Sequence, residues 1–105
     1  MKNLGALIIG LIALASCANA QSNNGEFTRV VDAACGECQF DMTGESCDLA
    51  VKIDDKFYFV EGSAIHEHGD AHASNGLCSA VRQAKVTGRI KRGVFYASSF
   101  ELIEE

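Results

Sequence analysis

The sequence lacks proline and tryptophan altogether, and it has few basic residues. Without proline, the chain cannot form the cis-proline loop that backs a thioredoxin-type redox site. Nine Lys and Arg against fourteen Asp and Glu give a formal net charge of -5, which provides no overall attraction to nucleic-acid backbone or anionic lipid. A chain of 105 residues is also too short for a large multidomain enzyme or a transmembrane transporter.

The first segment has the pattern of a secretory leader. One lysine precedes a nearly continuous apolar run at 4–15, which has the length of a signal-peptide core and is too short to span a bilayer. Two cleavage patterns then overlap. Leu14-Ala15-Ser16-Cys17 is a lipobox, which predicts a signal peptide over 1–16 and lipidation of Cys17. The alternative is ordinary cleavage after Ala20, and we favour the lipobox because cysteine is a rare residue.

Beyond the leader, the sequence predicts a polar tether over 17–25 and one folded domain over 26–105. This organisation predicts an exported bacterial protein, either periplasmic or anchored at the inner or outer membrane. The only membrane contact that we expect is a lipid on Cys17. The patterns indicate no nucleic-acid partner and do not identify a protein partner.

Hydrophobic alternation predicts five strands in this domain. In the second strand, Leu49, Val51 and Ile53 fall on one face, as a half-buried strand requires. Asp54-Asp55 then predicts a tight turn into the third strand. The predicted strands are 27–31, 47–53, 56–60, 86–91 and 94–103.

One short helix is predicted between the third and fourth strands. Leu77, Val81 and Ala84 recur at helical spacing, and Ser74 is a suitable N-cap. The domain is therefore expected to be α+β and mainly β. Its element order matches a small five-stranded antiparallel sheet, or an OB-like barrel with one helix between strands 3 and 4.

Two pairs of residues have the spacing of metal ligands. Cys35-x2-Cys38 and His68-x3-His72 each allow one loop to present two ligands to the same ion, as a tetrahedral Cys2His2 zinc site requires. The long gap between the pairs excludes a zinc finger but permits a site built from two loops. Asp70 is suited to orient one of the histidines from outside the ligand shell.

Two further interpretations of these residues stay open. Thiolates and imidazoles also suit copper(I), for which Met42 is close enough in sequence to add a thioether. Alternatively, the histidine-rich stretch is a polar surface loop that binds nothing. The first hypothesis is thus a metal-binding domain for zinc or copper.

The cysteines also support a hypothesis without metal. Four cysteines in a small exported domain predict disulfides, which are the default in an oxidising compartment. Three pairings are possible. Cys47 on a strand and Cys78 on the predicted helix form a natural pair, because the two elements must pack together. A disulfide-stapled binding or structural module is therefore the second hypothesis.

Enzymatic chemistry has little support in the sequence. Dithiol redox activity at Cys35-Gly36-Glu37-Cys38 is a third and weaker hypothesis, because no proline loop is available and no clear helix follows the motif. A serine nucleophile elbow and a glycine-rich phosphate loop are both lacking. The sequence thus identifies no catalytic residue and does not predict an enzyme.

Taken together, these motifs resemble a family of small exported bacterial proteins of unknown function. The resemblance covers nearly all of residues 27–103, and it is carried by Cys35-Gly36-Glu37-Cys38 and the residues to Met42, Cys47-Asp48-Leu49-Ala50-Val51, Tyr58-Phe59-Val60-Glu61-Gly62, His68-Gly69-Asp70-Ala71-His72, Cys78, and the stretch from Arg82 to Phe100. It implies that the four cysteines and the His-Gly-Asp-Ala-His string belong to the pattern of the domain. It implies no particular activity or ligand, and His66 lies outside the pattern.

Overall fold

A computed structural model describes residues 25–104 of the chain. The predicted signal peptide over 1–16, Cys17, the alternative cleavage site after Ala20 and nearly all of the tether lie outside the described residues. The described elements are five strands and two short helices. They are β1 Phe27–Cys35, α1 Gly36–Gln39, β2 Leu49–Ile53, β3 Lys56–Glu61, a 3-10 helix Ile65–His68, β4 Arg82–Lys91 and β5 Val94–Leu102.

The five strands close into a small barrel in the order β1-β2-β3-β5-β4. β1 pairs antiparallel with β2 on one side and with β4 on the other. The pair of β3 and β5 is parallel, whereas β2 with β3 and β4 with β5 are antiparallel hairpins. This architecture confirms the mainly β fold class with a five-stranded barrel.

Both hairpins turn on two residues with left-handed backbone. Asp54 and Asp55 have φ of 53° and 68°, and Arg92 and Gly93 have φ of 54° and 80°. Two-residue turns of this kind match the twist of the strands that they join, and Asp and Gly tolerate them best. The turn predicted at Asp54-Asp55 is therefore confirmed.

The barrel interior is filled by alternate residues of its strands. Leu49, Val51 and Ile53 are all buried, which confirms the predicted face of β2. Among residues 25–104, the largest fully buried side chain is that of Phe95 on β5. Gly88 pairs with Ala97 at a bulge of β4, where a Cβ atom would meet the Phe95 ring at 2.7 Å and the Tyr96 carbonyl oxygen. The bulge thus requires a residue without a side chain.

A second, smaller apolar cluster lies at the end of the barrel where β1 finishes. Its buried members are Ala34, Phe40 and Ala50, with Met42 and Phe59 packed against them. Phe40 also stacks on Phe57, with 4.7 Å between ring centroids. This cluster supports the end of β1 and the segment that follows it, where Cys35 and Cys38 lie.

The helix predicted at Leu77, Val81 and Ala84 is wrong. Leu77 is buried, but it lies among turns, Val81 is 44% exposed, and Ala84 is the third residue of β4. Ala84 and Val86 alternate inward in a strand that pairs with both β1 and β5. The backbone hydrogen bonds of β4 to a strand on each side outweigh a helical pattern of only three residues. The α-helix of the described residues is instead α1, between β1 and β2.

No helix in residues 25–104 is long and apolar enough to cross a membrane.

Candidate functional site

Four cysteine sulfurs meet at one end of the barrel. Cys35 ends β1, Cys38 lies in α1, Cys47 precedes β2, and Cys78 lies in the loop before β4. Their Sγ atoms all lie within 4.8 Å of one another. No other group of three or more Cys, His, Asp or Glu ligand atoms this close occurs within residues 25–104.

The strand pairing explains why distant cysteines converge. β1 is antiparallel to both neighbours, so its last residues lie beside the first residues of β2 and of β4. Cys35 is opposite Leu49 at the start of β2, and Ala33 is opposite Arg82 at the start of β4. The segments that lead into β2 and β4 must therefore arrive at the end of β1. Those segments carry Cys47 and Cys78.

Backbone hydrogen bonds hold the segment after β1 in place. The Cys35 N–H donates to the Leu77 carbonyl at 2.9 Å, and the Gly36 N–H donates to the Asp48 carbonyl at 2.8 Å. These bonds tie the cysteine motif to the neighbours of Cys47 and Cys78. The site is thus fixed by main chain rather than by flexible side chains alone.

The loop that carries Cys78 is held by two more contacts. The Cys78 N–H donates to the Ala71 carbonyl at 2.9 Å, and the Cys78 carbonyl accepts from the Gln39 side-chain amide at 2.9 Å. Gln39 belongs to α1, next to Cys38. The two cysteine-bearing segments are therefore joined directly.

Gly36 is the point where the cysteine motif packs on the second apolar cluster. A Cβ atom at this position would meet Met42 Sδ at 2.7 Å, Phe59 Cε1 at 2.9 Å and Ala50 Cβ at 3.0 Å. The spacer between Cys35 and Cys38 must therefore begin with glycine for α1 to sit against the barrel. This close packing fixes the position of the motif.

The four sulfurs differ in bonding and exposure. Cys47 and Cys78 are joined by a disulfide, the pair that the sequence analysis favoured. Cys35 and Cys38 are free thiols, the first buried and the second exposed. Cys38 Sγ lies 4.0 Å from Cys47 Sγ. Burial, and next the hydrogen bond with Cys38, raise the pKa of the Cys35 thiol to about 11.

Glu37, between the two free thiols, turns its carboxylate toward the site. Its Oε1 accepts a hydrogen bond from the Asp48 N–H at 2.9 Å and a longer one from the Cys35 thiol at 3.7 Å. Its Oε2 is buried without a hydrogen-bond partner among the described residues. Burial opposes ionisation of Glu37, but the hydrogen bonds outweigh it and lower the pKa of Glu37. The Glu37 carboxylate in turn raises the pKa of Asp48.

The histidines of the predicted Cys2His2 site lie outside the sulfur cluster. His68 Nε2 is 2.8 Å from Ser63 Oγ, and its ring packs on Phe100 with 4.9 Å between ring centroids. Burial lowers the pKa of His68. His72 is exposed, and its N–H donates to Asp70 Oδ1 at 2.9 Å. Asp70 thus stabilises its own turn.

The structure therefore brings Cys35 and Cys38 together with Cys47 and Cys78, and it does not add His68, Asp70 or His72 to that cluster. Met42 packs beside Gly36 in the second apolar cluster. Sequence reasoning assigned Cys47 and Cys78 only to a disulfide. The signal that could have shown a joint site was the count of four cysteines together with antiparallel pairing on both sides of β1.

A groove of about 430 Å³ borders the cluster and is lined by Cys47. Its polar lining includes the carboxylates of Asp48, Glu61 and Glu67 and the hydroxyl of Ser63. Cys47 is thus reached from solvent through an acidic opening.

Comparison with known proteins identifies one family. The family of unknown function DUF6370 matches residues 29–103, a span that contains the barrel and all four clustered cysteines. No curated protein and no solved structure matches the chain. The chain therefore belongs to DUF6370, a family of unknown function.

Proposed function

We propose that the barrel binds one transition-metal ion, zinc or copper(I), through the thiolates of Cys35, Cys38, Cys47 and Cys78. The observation that carries this proposal is the mutual approach of all four sulfurs to within 4.8 Å. With metal–sulfur bonds of about 2.3 Å, tetrahedral geometry places sulfurs about 3.8 Å apart. Small side-chain movements therefore suffice to close the cluster around one ion.

The ligand chemistry supports these two ions. Thiolates are soft ligands that select zinc and copper(I) over hard cations such as magnesium or calcium. A bound cation also favours the deprotonated state of a buried thiol such as Cys35, whose pKa is otherwise raised by burial. Cys47 and Cys78 take the ligand positions that the sequence predicted for His68 and His72. The four sulfurs lie together, whereas His68 forms a hydrogen bond with Ser63.

The ligands must be thiolates, so metal binding requires the bridge between Cys47 and Cys78 to be reduced. The bridged form, with two free thiols beside the disulfide, is then the metal-free form of the same site. The two forms differ by two electrons and are interconverted by a dithiol and its disulfide.

A second candidate function is supported by the bridge itself. A disulfide between Cys47 and Cys78 closes the loop before β4 onto the start of β2 and joins residues that are 31 positions apart in the sequence. In that case the cysteines staple a small module and bind no ion. This candidate predicts indifference to chelators and a loss of stability on reduction.

We also propose that the protein is exported and anchored by a lipid on Cys17. The lipobox and the apolar run at 4–15 support this proposal. Metabolic labelling with a radioactive fatty acid tests it, with Cys17→Ser as the matched control. Label on the wild type and none on the variant is expected. Unlabelled wild type with an N-terminus at Gln21 would favour ordinary cleavage after Ala20.

Cobalt(II) substitution tests the metal site directly. The reduced protein should bind one cobalt ion with the absorption of a tetrahedral site and strong sulfur-to-metal charge transfer. Cys78→Ser should weaken the charge-transfer band, because one thiolate is lost. His72→Ala is the matched control and should leave the spectrum unchanged. A spectrum that changes with His72→Ala and not with Cys78→Ser would overturn the four-thiolate site.

A further inference from the structure

The sulfur cluster contains two free thiols beside a disulfide, and the two thiols differ in their exposure to solvent. Cys35 is fully buried, whereas Cys38 in α1 is exposed. Cys38 Sγ lies 4.0 Å from Cys47 Sγ, and Cys47 is bonded to Cys78. Thiol–disulfide exchange requires an accessible thiolate next to a disulfide sulfur. Cys38 is both exposed and next to the disulfide sulfur of Cys47.

We infer that the bridge moves within the cluster, and that Cys38 is the thiol through which an external dithiol reduces it. The inference goes beyond the proposed function, since the exchange involves no metal. Reduction of the bridge would also control the proposed metal site, because only the fully reduced cluster offers four thiolates.

The first step is an isomerisation that consumes no electrons. Cys38 loses its proton to solvent, and its thiolate attacks Cys47 Sγ. The bond between Cys38 and Cys47 forms as the bond between Cys47 and Cys78 breaks. Cys78 leaves as a thiolate and takes up a proton. The result is still one disulfide and two free thiols.

The second step is reduction by a dithiol. A thiolate of the dithiol attacks Cys38 Sγ, which is exposed, and Cys47 leaves as a thiolate. The second thiol of the reductant then attacks the mixed disulfide and releases Cys38. The dithiol is oxidised to a disulfide, and the two electrons and two protons that it gives up reduce Cys38 and Cys47. All four cysteines are then thiols.

Position in the fold supports this route over direct attack on either sulfur of the bridge. Cys47 is reached through an opening lined by acidic residues, which repel an incoming thiolate. The Cys78 segment is held against α1 by the Gln39 amide and against the preceding loop by Ala71. Cys38, in contrast, lies on the exposed side of α1. When the bridge moves from Cys78 to Cys38, the disulfide passes from the hydrogen-bonded loop before β4 to the exposed side of α1.

The test measures reduction of the metal-free protein by dithiothreitol in the presence of a chelator, with the released thiols counted after acid quenching. Cys38→Ser should slow reduction of the bridge between Cys47 and Cys78 by at least about tenfold, because a thiol held beside the disulfide has a high effective concentration. His72→Ala, at an exposed residue outside the sulfur cluster, is the matched control, and it should be reduced at the wild-type rate. Equal rates for Cys38→Ser and wild type would overturn the inference.

A second measurement does not depend on the behaviour of Cys38→Ser. Oxidised Cys78→Ser should contain a disulfide between Cys38 and Cys47 by peptide mapping, and oxidised wild type should contain a fraction of the same bridge. Absence of that bridge from both proteins would contradict the inference. Because every step is measured without metal, failure of metal binding and failure of exchange are distinguishable.

Discussion

Cys38 Sγ lies 4.0 Å from Cys47 Sγ, although the two residues are separated by nine positions and belong to different segments. The contact exists because β1 is antiparallel to both β2 and β4, which places the starts of those strands at its end. The same geometry brings in Cys35 and Cys78. One topological feature thus produces the candidate metal site and the candidate exchange reaction.

The four-thiolate account predicts a sharp division between cysteine and histidine variants. Replacing Cys47 or Cys78 by serine should weaken zinc binding by more than about 100-fold, since even residues outside the ligand shell cost up to that much. His68→Ala and His72→Ala should bind zinc as the wild type does. Competition with a chromophoric chelator under reducing conditions measures the zinc affinity of all four variants. Strong loss in both histidine variants would restore the Cys2His2 site.

Gly36→Ala should destabilise the barrel by about 1–3 kcal/mol, which is typical of overpacking. The added methyl group would press on Met42, Phe59 and Ala50. The variant should also bind zinc more weakly, because α1 carries Cys38 and must shift. Urea denaturation and zinc competition measure the two effects. A stability within about 0.5 kcal/mol of wild type would show that α1 does not depend on this packing.

The hydrogen bond from the Asp48 N–H to Glu37 should contribute to stability. Glu37→Ala removes the acceptor of this exposed hydrogen bond, and we expect a loss of about 0.5–1.5 kcal/mol. Glu37→Gln keeps an acceptor oxygen and serves as the matched control, with a smaller loss. In Glu37→Gln the pKa of Asp48 should fall toward its usual value, because the carboxylate that raises it is gone. NMR titration of the Asp48 carboxyl carbon checks this shift, and an unchanged pKa would refute the coupling.

His68 should make stability depend on pH. Its pKa is lowered by burial in the folded state, so the unfolded chain binds the proton more readily. The stability gained by burying the neutral His68 ring is fully present above the pKa of histidine in the unfolded chain, about 6.5. It is lost as the pH falls below that value. His68→Gln should flatten the dependence in this range, measured by urea denaturation at several pH values.

His66→Gln is the matched control for that experiment, because His66 lies on the same 3-10 helix with an exposed side chain. Its variant should keep the wild-type dependence on pH. If His68→Gln also kept it, the burial of His68 would have no energetic consequence.

Local patterns predicted much of the barrel. The alternation of Leu49, Val51 and Ile53 and the Asp54-Asp55 turn correctly placed β2 and its hairpin, because both signals depend only on neighbouring residues. The sequence also placed both free thiols in one motif. Predictions of this kind need no knowledge of which strands pair.

The errors came from contacts that are distant in sequence. Ala84 fits a helical pattern with Leu77 and Val81, but it also begins an alternation with Val86, and pairing with β1 and β5 decides for the strand. The sulfur cluster was missed for the same reason. Ligand spacing along the chain favoured the histidine pair, whereas the barrel topology determines which residues meet.

Intact mass of the reduced protein loaded with zinc, recorded under native and then denaturing conditions, tests the central claim most directly. The four-thiolate account predicts one zinc ion that leaves on denaturation in acid, and free thiols at Cys35, Cys38, Cys47 and Cys78 in the released chain. A protein with no bound ion whose disulfide between Cys47 and Cys78 forms again when the reductant is removed in the presence of zinc would contradict it. That result would leave the cysteines as staples of a small barrel.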